Sequence, residues 1–340
     1  MTELLKPTDA AIKKAASLIR AGEVVAFPTE TVYGLGADAG NPEAIRRIFR
    51  AKGRPQDNPL IVHIASLDQL KDVIQGELPP QAQILAEKFW PGPLTMILPK
   101  GDAISSECTA SLDSVGVRFP SNECARRLIA ASGVPIAAPS ANTSGKPSPT
   151  AAQHVYNDMN GKIPLILDGG DCSVGLESTV VDARSVPVRV LRPGGVTPEM
   201  IAEALGEVEV DGSVLRPLKQ GEVARSPGMK YKHYAPDGSL VIVKGERVAV
   251  AEKINALYDE APGTKCIFAL AGNAALYGDR RVYSLGEDAG QAAQRLFRAL
   301  RDMDAERVDS IFSEAIDTAG IGLAVMNRLG RAAAFHIIEA

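Results

Sequence analysis

Cysteine is scarce and scattered. The four thiols, Cys108, Cys124, Cys172 and Cys266, form no C-x-x-C pair, which argues against a zinc ribbon or a disulfide framework and reads as reduced thiols of a cytosolic protein. Charge of one sign is lacking too: 37 Lys and Arg stand against 41 Asp and Glu, a net charge of -4 without a basic tail. Tight nonspecific gripping of a nucleic-acid backbone is therefore not expected, and any RNA contact should be weak, local and transient. No apolar run approaches the roughly 18 residues of a membrane helix. The N-terminal stretch MTELLKPTDAAIKKAASLIRAG is an amphipathic helix pattern with charges throughout, lacking the apolar region of a signal peptide. A cytoplasmic protein with no membrane partner is the expectation. Neither H-E-x-x-H nor a Ser-His-Asp set occurs, so the chemistry must rest on cations, hydroxyls and, where one is needed, a metal ion.

What is present is an alternation of helix and strand patterns, the mark of a mixed α/β protein. At 340 residues the chain exceeds one ordinary core, and two domains are expected. EVVAFPTETVYGLGADA reads as a strand leading into a polar loop. NPEAIRRIFRAKG reads as a helix with Asn41 as its cap and Pro42 at its first position. Further strands are expected at PLIVHI, LTMILP, SVGVRFP, VPIAAPS, LILDGG, STVVDA and VRVLRPGG, with helices near 67–74, 80–89, 122–132, 150–157 and 198–205. Periodicity fades at about residue 207. The stretch 207–236, rich in Gly, Pro and charge, reads as a linker between a domain at 1–206 and a second at 237–340. The second domain again alternates, and predicts a small open α/β sheet.

Two nucleotide fingerprints fail on inspection. GLGADA (34–39) satisfies G-x-G-x-x-A, yet the following helix starts only after Asn41, so the tight strand-turn-helix geometry is missing. SANTSGKPS has Ser140 where a P-loop has its first glycine and Pro147 where it has Ser or Thr. Other stretches gather anion-binding groups. In RRIFRAKGRPQDNPLIVHI, Arg50 and Lys52 are explained as helix-terminal cations and Gly53 as the cap. Arg54 lies past the glycine, and His63 sits in a strand, where it is either a core histidine or a functional one. In SVGVRFP, alternation places Arg118 on the face of Ser114 and Gly116. There it is a seat for a carboxylate or phosphate, or half of a structural ion pair. Ser140, Asn142, Thr143, Ser144 and Ser148 follow the end of an apolar strand; Glu177, Ser178 and Thr179 lead into another; Arg192 ends a third. FPTETVYG adds Thr29, Glu30, Thr31 and Tyr33. Several such clusters beside cations at strand ends favour one shared site.

Taken together, FPTETVYGLG, KGRP followed by NPLIVHI, GVRFP, PSANTSGKPSPT, ESTVVD, LRPGG and SPGMKYKHYAP resemble the YrdC-like (TsaC) family of L-threonylcarbamoyladenylate synthases in its long two-domain form. The family signature K-x-R with S-x-N corresponds to Lys52/Arg54 and Ser140/Asn142. The resemblance implies a YrdC-like twisted mixed sheet with flanking helices, and a smaller C-terminal Rossmann-like open α/β domain. It implies a nucleotidyltransferase that joins L-threonine, bicarbonate (or CO2) and ATP with Mg2+ into threonylcarbamoyl-AMP and pyrophosphate. The product would feed a threonylcarbamoyl transferase complex that modifies the tRNA adenosine next to the anticodon. By motif, Thr31, His63, Arg118, Ala138 and Ser178 would line the threonine pocket. Arg54, Asn58, Ser114, Ser140, Asn142, Ser148, Arg192 and Tyr234 would hold ATP, and Lys52 with Arg54 would serve catalysis at the phosphates. KYKHYAP is expected as a lid over the nucleotide, and Glu30 and Glu177 are candidates for the metal. The alternative is a non-catalytic module for tRNA or double-stranded RNA that uses the same cations on a phosphate backbone.

Overall fold

The structure, a computed structural model, describes residues 1–214, 216 and 234–340. They fall into two compact units, Met1–Ser144 with Ser148–Val214, and Gly145–Pro147 with 234–340. The KYKHYAP lid, apart from its last three residues, and most of the expected linker lie outside the described residues.

In chain order the first unit runs β1 (Glu3–Leu5), α1 (Asp9–Arg20), β2 (Val25–Phe27), β3 (Gly34–Asp38), α2 (Pro42–Lys52), β4 (Ile61–His63), α3 (Leu70–Val73), α4 (Pro80–Phe89), β5 (Leu94–Pro99), α5 (Ser106–Thr109), β6 (Ser114–Arg118), α6 (Glu123–Ser132), β7 (Ile136–Ala137), α7 (Ala152–Met159), β8 (Leu165–Leu167), β9 (Thr179–Asp182), β10 (Val188–Arg192), α8 (Pro198–Leu205) and β11 (Val208–Val210). The strands form one mixed sheet of order β1-β8-β2-β3-β7-β4-β6-β5-β9-β10-β11. On one face α1 and α6 pack Ile12, Ile19, Leu128 and Ile129 against Phe27, Ile136 and Leu165. The larger core, on the α2 side, joins Ile45, Ile48 and Phe49 to Val62, Met96 and Val117.

Helix boundaries follow the capping chemistry in the chain. Asn41 accepts from the amides of Glu43 and Ala44, Pro42 opens α2, and Gly53 closes it in the left-handed region at φ 64°. The sequence reading differs at three strands. The N-terminal helix begins only at Asp9, because Thr8 caps it and Glu3–Leu5 pairs in parallel with Leu165–Leu167. GLGAD is a strand, not a loop: it pairs antiparallel with Val25–Phe27. A Cβ at Gly36 would stand 2.6 Å from the Phe27 ring and 2.8 Å from Ile136, so close packing accounts for this glycine without any nucleotide. Val208–Val210, at the start of the expected linker, pairs with β10.

The second unit runs β12 (Ser239–Lys244), α9 (Arg247–Glu260), β13 (Lys265–Ala269), a 3-10 turn at Ala271–Tyr277, β14 (Val282–Ser284), α10 (Ala289–Ala305), β15 (Ser310–Glu314), α11 (Gly322–Ala332) and β16 (Ile337–Glu339). Its five strands, ordered β14-β13-β15-β12-β16, are all parallel, the open α/β sheet expected. Val250, Ala251 and Ile254 of α9 pack on Val243, Ile267 and Phe312. Among the described residues of the chain, no helix is long and apolar enough to cross a membrane.

Candidate active site

The register of three strands sets a polar row in the middle of the large sheet. Arg118 of β6 is directly paired with His63 of β4 on one side and with Thr95 of β5 on the other, so the three side chains share a face. All three are buried. Thr95 is a residue the sequence reading missed. The available signal was a lone hydroxyl in the apolar run LTMILP.

Arg118 is held from three directions. Nη2 lies 2.7 Å from the Glu30 carboxylate, Nη1 donates to Thr31 Oγ1 at 2.7 Å, and Nε donates to the Gly92 carbonyl at 3.4 Å. The turn after β2 supplies two of these partners because Thr29 folds it: its Oγ1 accepts from the amides of Thr31 and Val32 and donates to the Val32 carbonyl. Since that proton goes to a carbonyl, Thr31 is the donor in the 2.8 Å contact between the two hydroxyls. The direction of the whole chain, Arg118 to Thr31 to Thr29 to Val32, is thereby fixed.

The charges of this row follow from burial and pairing. Burial alone would raise the Glu30 carboxyl; the Arg118 charge and hydrogen bond, with the backbone amides of Glu30 and Ser121, outweigh it and hold it below its ordinary range. His63 is pushed down to about 3 by burial and then by the Arg118 charge. It is therefore a neutral imidazole, packed edge-on to Phe27, with Nδ1 3.1 Å from the Ile61 carbonyl. Of the two readings left open for Arg118, the structural ion pair is the one the fold displays. Of its five N–H groups, three face the partners just named, which leaves two among the described residues.

Beside the row, Thr95 Oγ1 lies 2.7 Å from Ser178 Oγ, and Arg192 donates to the Ser178 carbonyl at 3.0 Å and to its hydroxyl at 3.1 Å. The next residue back, Glu177, accepts from Ser148 Oγ at 2.5 Å. On the β3 side, Lys52 Nζ donates to the backbone carbonyls of Ser140 and, at 2.7 Å, Asn142. The K-x-R and S-x-N stretches thus meet. Ser140 is bridged to Gly34 and donates to Asn142 Oδ1. Ala138, whose amide donates to the Ile61 carbonyl, is buried in the apolar cluster with Phe27 and Ile136. Three cations, Lys52, Arg118 and Arg192, at 2 %, 4 % and 7 % exposure, are therefore buried, and Arg118 is ion-paired with Glu30.

The remaining candidates are placed as follows. Arg54 lies 5.8 Å over the Phe49 ring. Asn58 is 1 % exposed, and neither end of its amide meets a hydrogen-bond partner among the described residues. Ser114 begins the strand that Arg118 ends, about 13 Å away at strand rise, and does not join the Arg118 cluster. Tyr234 belongs to the second unit, with its ring 5.0 Å from Phe297. Tyr33, in the same turn as Thr31, donates to the Gly170 carbonyl at 2.7 Å and is a core residue. Among the described residues no three of His, Cys, Asp and Glu are grouped so as to hold a metal ion.

Comparisons with known proteins converge. A Sua5/YciO/YrdC family model described as "Telomere recombination" matches residues 17–194, and one described as "Threonylcarbamoyl-AMP synthase, C-terminal domain" matches 196–334. Threonylcarbamoyl-AMP synthase of Pyrococcus abyssi is 48% identical over 328 residues, which cover 96% of this chain and 95% of that one. The Bacillus subtilis enzyme of the same name is 47% identical over 343 residues, covering 100% and 97%. A crystal structure of P. abyssi Sua5 complexed with L-threonine superposes with a TM-score of 0.93 at 46% identity, covering 100% of both chains.

Proposed function

The chain belongs to the threonylcarbamoyl-AMP synthase family, in the form with the additional C-terminal domain, and from that premise we propose that it joins L-threonine, bicarbonate or CO2, and ATP into threonylcarbamoyl-AMP and pyrophosphate. The observation that carries this is the set of three buried cations, Lys52 on the Asn142 carbonyl, Arg118 on the Thr31 hydroxyl and Arg192 on the Ser178 carbonyl. In the reaction the threonine amine, after losing a proton, takes up CO2 to give a carbamate. A carbamate oxygen then attacks the α-phosphorus of ATP, and the bond to the bridging oxygen of the β-phosphate breaks. Two anions must meet, so fixed positive charge in a dry site supplies most of what catalysis needs. This makes the enzyme a nucleotidyltransferase that works by positioning and electrostatics.

Arg118 takes the threonine carboxylate with its remaining N–H groups, while Thr31, His63, Ala138 and Ser178 line the rest of the pocket. Lys52 braces the Ser140–Asn142 loop and, with Arg54 and Arg192, offsets the phosphate charge. Asn58, Ser114, Ser140, Asn142 and Ser148 complete the nucleotide contacts of the first unit. The orphaned Asn58 amide suits an adenylate, since a buried amide without partners costs stability until a ligand satisfies it. Mg2+ enters with ATP as part of the substrate and neutralises phosphate oxygens. Of the two candidate carboxylates, Glu30 is ion-paired with Arg118 and Glu177 accepts from Ser148; either would meet the ion only through the bound nucleotide's phosphates and water. The product is a reactive mixed anhydride and feeds the threonylcarbamoyl modification of tRNA.

The reading as a non-catalytic RNA module is set aside. Its relatives are named as synthases, and Lys52, Arg118 and Arg192 are too deeply buried to track a phosphate backbone. The test is pyrophosphate release from Mg·ATP with threonine and bicarbonate present together or omitted singly. Release should require both, and release without threonine would defeat the proposal.

A further inference from the structure

The Arg118–Glu30 pair raises a question that substrate binding alone does not answer. A guanidinium in a dry pocket binds carboxylate, phosphate or bicarbonate alike, and the reaction proposed above brings all three into this one site. An unpaired Arg118 would therefore be occupied by the wrong anion much of the time. The structure instead places a carboxylate 2.7 Å from Nη2, with side chains only 4 % and 8 % exposed. Glu30 is held there by the Thr29-folded turn and stays ionised, because Arg118 and the backbone amides offset the effect of burial.

We propose that Glu30 determines specificity: by holding Arg118 in a neutral buried pair, it makes the pocket select a zwitterion, an α-amino acid, over a simple anion. For a lone anion the attraction of Arg118 is largely cancelled by repulsion from Glu30. An amino acid offers a carboxylate to Arg118 and an ammonium to the carboxylate side, so both charges of the pair are complemented. The hydrogen-bond direction agrees. Thr31 accepts from Arg118 and gives its proton to Thr29, so towards a ligand it presents a lone pair, suited to an N–H or O–H and not to a second carboxylate. Glu30 is a positioning residue in this account, acting on the substrate through Arg118 and through its charge.

The inference rests on the threonine reading above, and its test separates the two. Affinities of the full chain for L-threonine and for (R)-3-hydroxybutyrate, the same skeleton without the amine, are measured by calorimetry for wild type, Glu30→Gln and Glu30→Asp. Wild type should prefer threonine by about 30-fold or more, the worth of one charge-assisted hydrogen bond. Glu30→Gln should narrow the ratio to within about threefold, near the scatter of such comparisons, while Glu30→Asp keeps the charge and most of the preference. An unchanged ratio in Glu30→Gln, with wild-type threonine binding intact, would overturn this inference alone. No threonine binding by wild type would overturn the functional reading and this inference with it. Should Glu30→Gln not fold, wild type is compared on threonine methyl ester, threonine and the hydroxy acid. The zwitterion should bind tightest of the three, and an anion within about threefold of threonine would overturn the proposal.

Discussion

Replacing Arg118 by Met should reverse the way the stability of the first unit responds to pH. In the wild type the Glu30 carboxyl is held below its ordinary range once Arg118 and the amides outweigh burial. Its contribution is complete above the unfolded carboxylate value, about 4.3, and is lost as pH falls through the folded value. Arg118→Met leaves the carboxylate 8 % exposed and without its cation. Only burial and the amides then act, and burial is the largest single influence, so the folded pKa rises. Stability is then greatest below the unfolded value and is lost as pH climbs towards the raised one. The size at neutral pH is that of breaking one side of a buried pair, about 3 to 5 kcal/mol, or on the order of 10 °C in melting temperature. Trp90, the one tryptophan in the chain, lies two residues before Gly92 in the first unit and is buried, so its fluorescence follows this unit selectively. Melts from about pH 5 to about pH 8 should show Arg118→Met losing stability across that range. The double variant with Glu30→Gln should regain most of the loss, since no buried charge remains unpaired. A pH slope in Arg118→Met equal to the wild-type slope would refute the reasoning.

Three further outcomes follow from the geometry. Lys52→Ala removes the ammonium that binds the Ser140 and Asn142 carbonyls; kcat should fall by about 100-fold or more with threonine affinity changed little, as steady-state kinetics with each substrate varied would show. Thr95→Val keeps the volume but deletes the partner of Ser178. It should cost about 1 to 2 kcal/mol in denaturant melts and raise the KM for threonine, and an unchanged KM would separate Thr95 from the site. Gly36→Ala forces a methyl to within 2.6 Å of the Phe27 ring and should destabilise the first unit by about 1 to 3 kcal/mol without creating or abolishing any nucleotide selectivity.

How much of this was legible in the chain differs by element. Caps were readable because they are local: Asn41 with Pro42, and Gly53 after the helix, behave as their chemistry dictates. Six-residue strands with flanking breaks, such as LTMILP, were readable from composition. β1 was not, because Glu3–Leu5 is a strand only by virtue of a partner far along the chain, and β3 was not, because glycine disfavours the strand it occupies at Gly36 and the pairing with Val25–Phe27 and Ile136–Ala137 overrides that. At the site, the motif residues were visible one by one. The register that aligns His63, Arg118 and Thr95 was not, since pairing between β4, β6 and β5 is a tertiary fact. Glu30 shows the same limit: as a sequence letter it was a candidate metal ligand, whereas in the fold its carboxylate is taken up by Arg118.

In the proposed reaction, buried cations bring a threonine carbamate onto the α-phosphorus of ATP. The most direct test supplies 13C-labelled bicarbonate with threonine and Mg·ATP and weighs the nucleotide product by mass spectrometry. An adenylate that carries both threonine and the heavy carbon should form in step with pyrophosphate. Pyrophosphate accompanied by an adenylate of threonine without the labelled carbon, or by AMP alone from the first turnover, would contradict it.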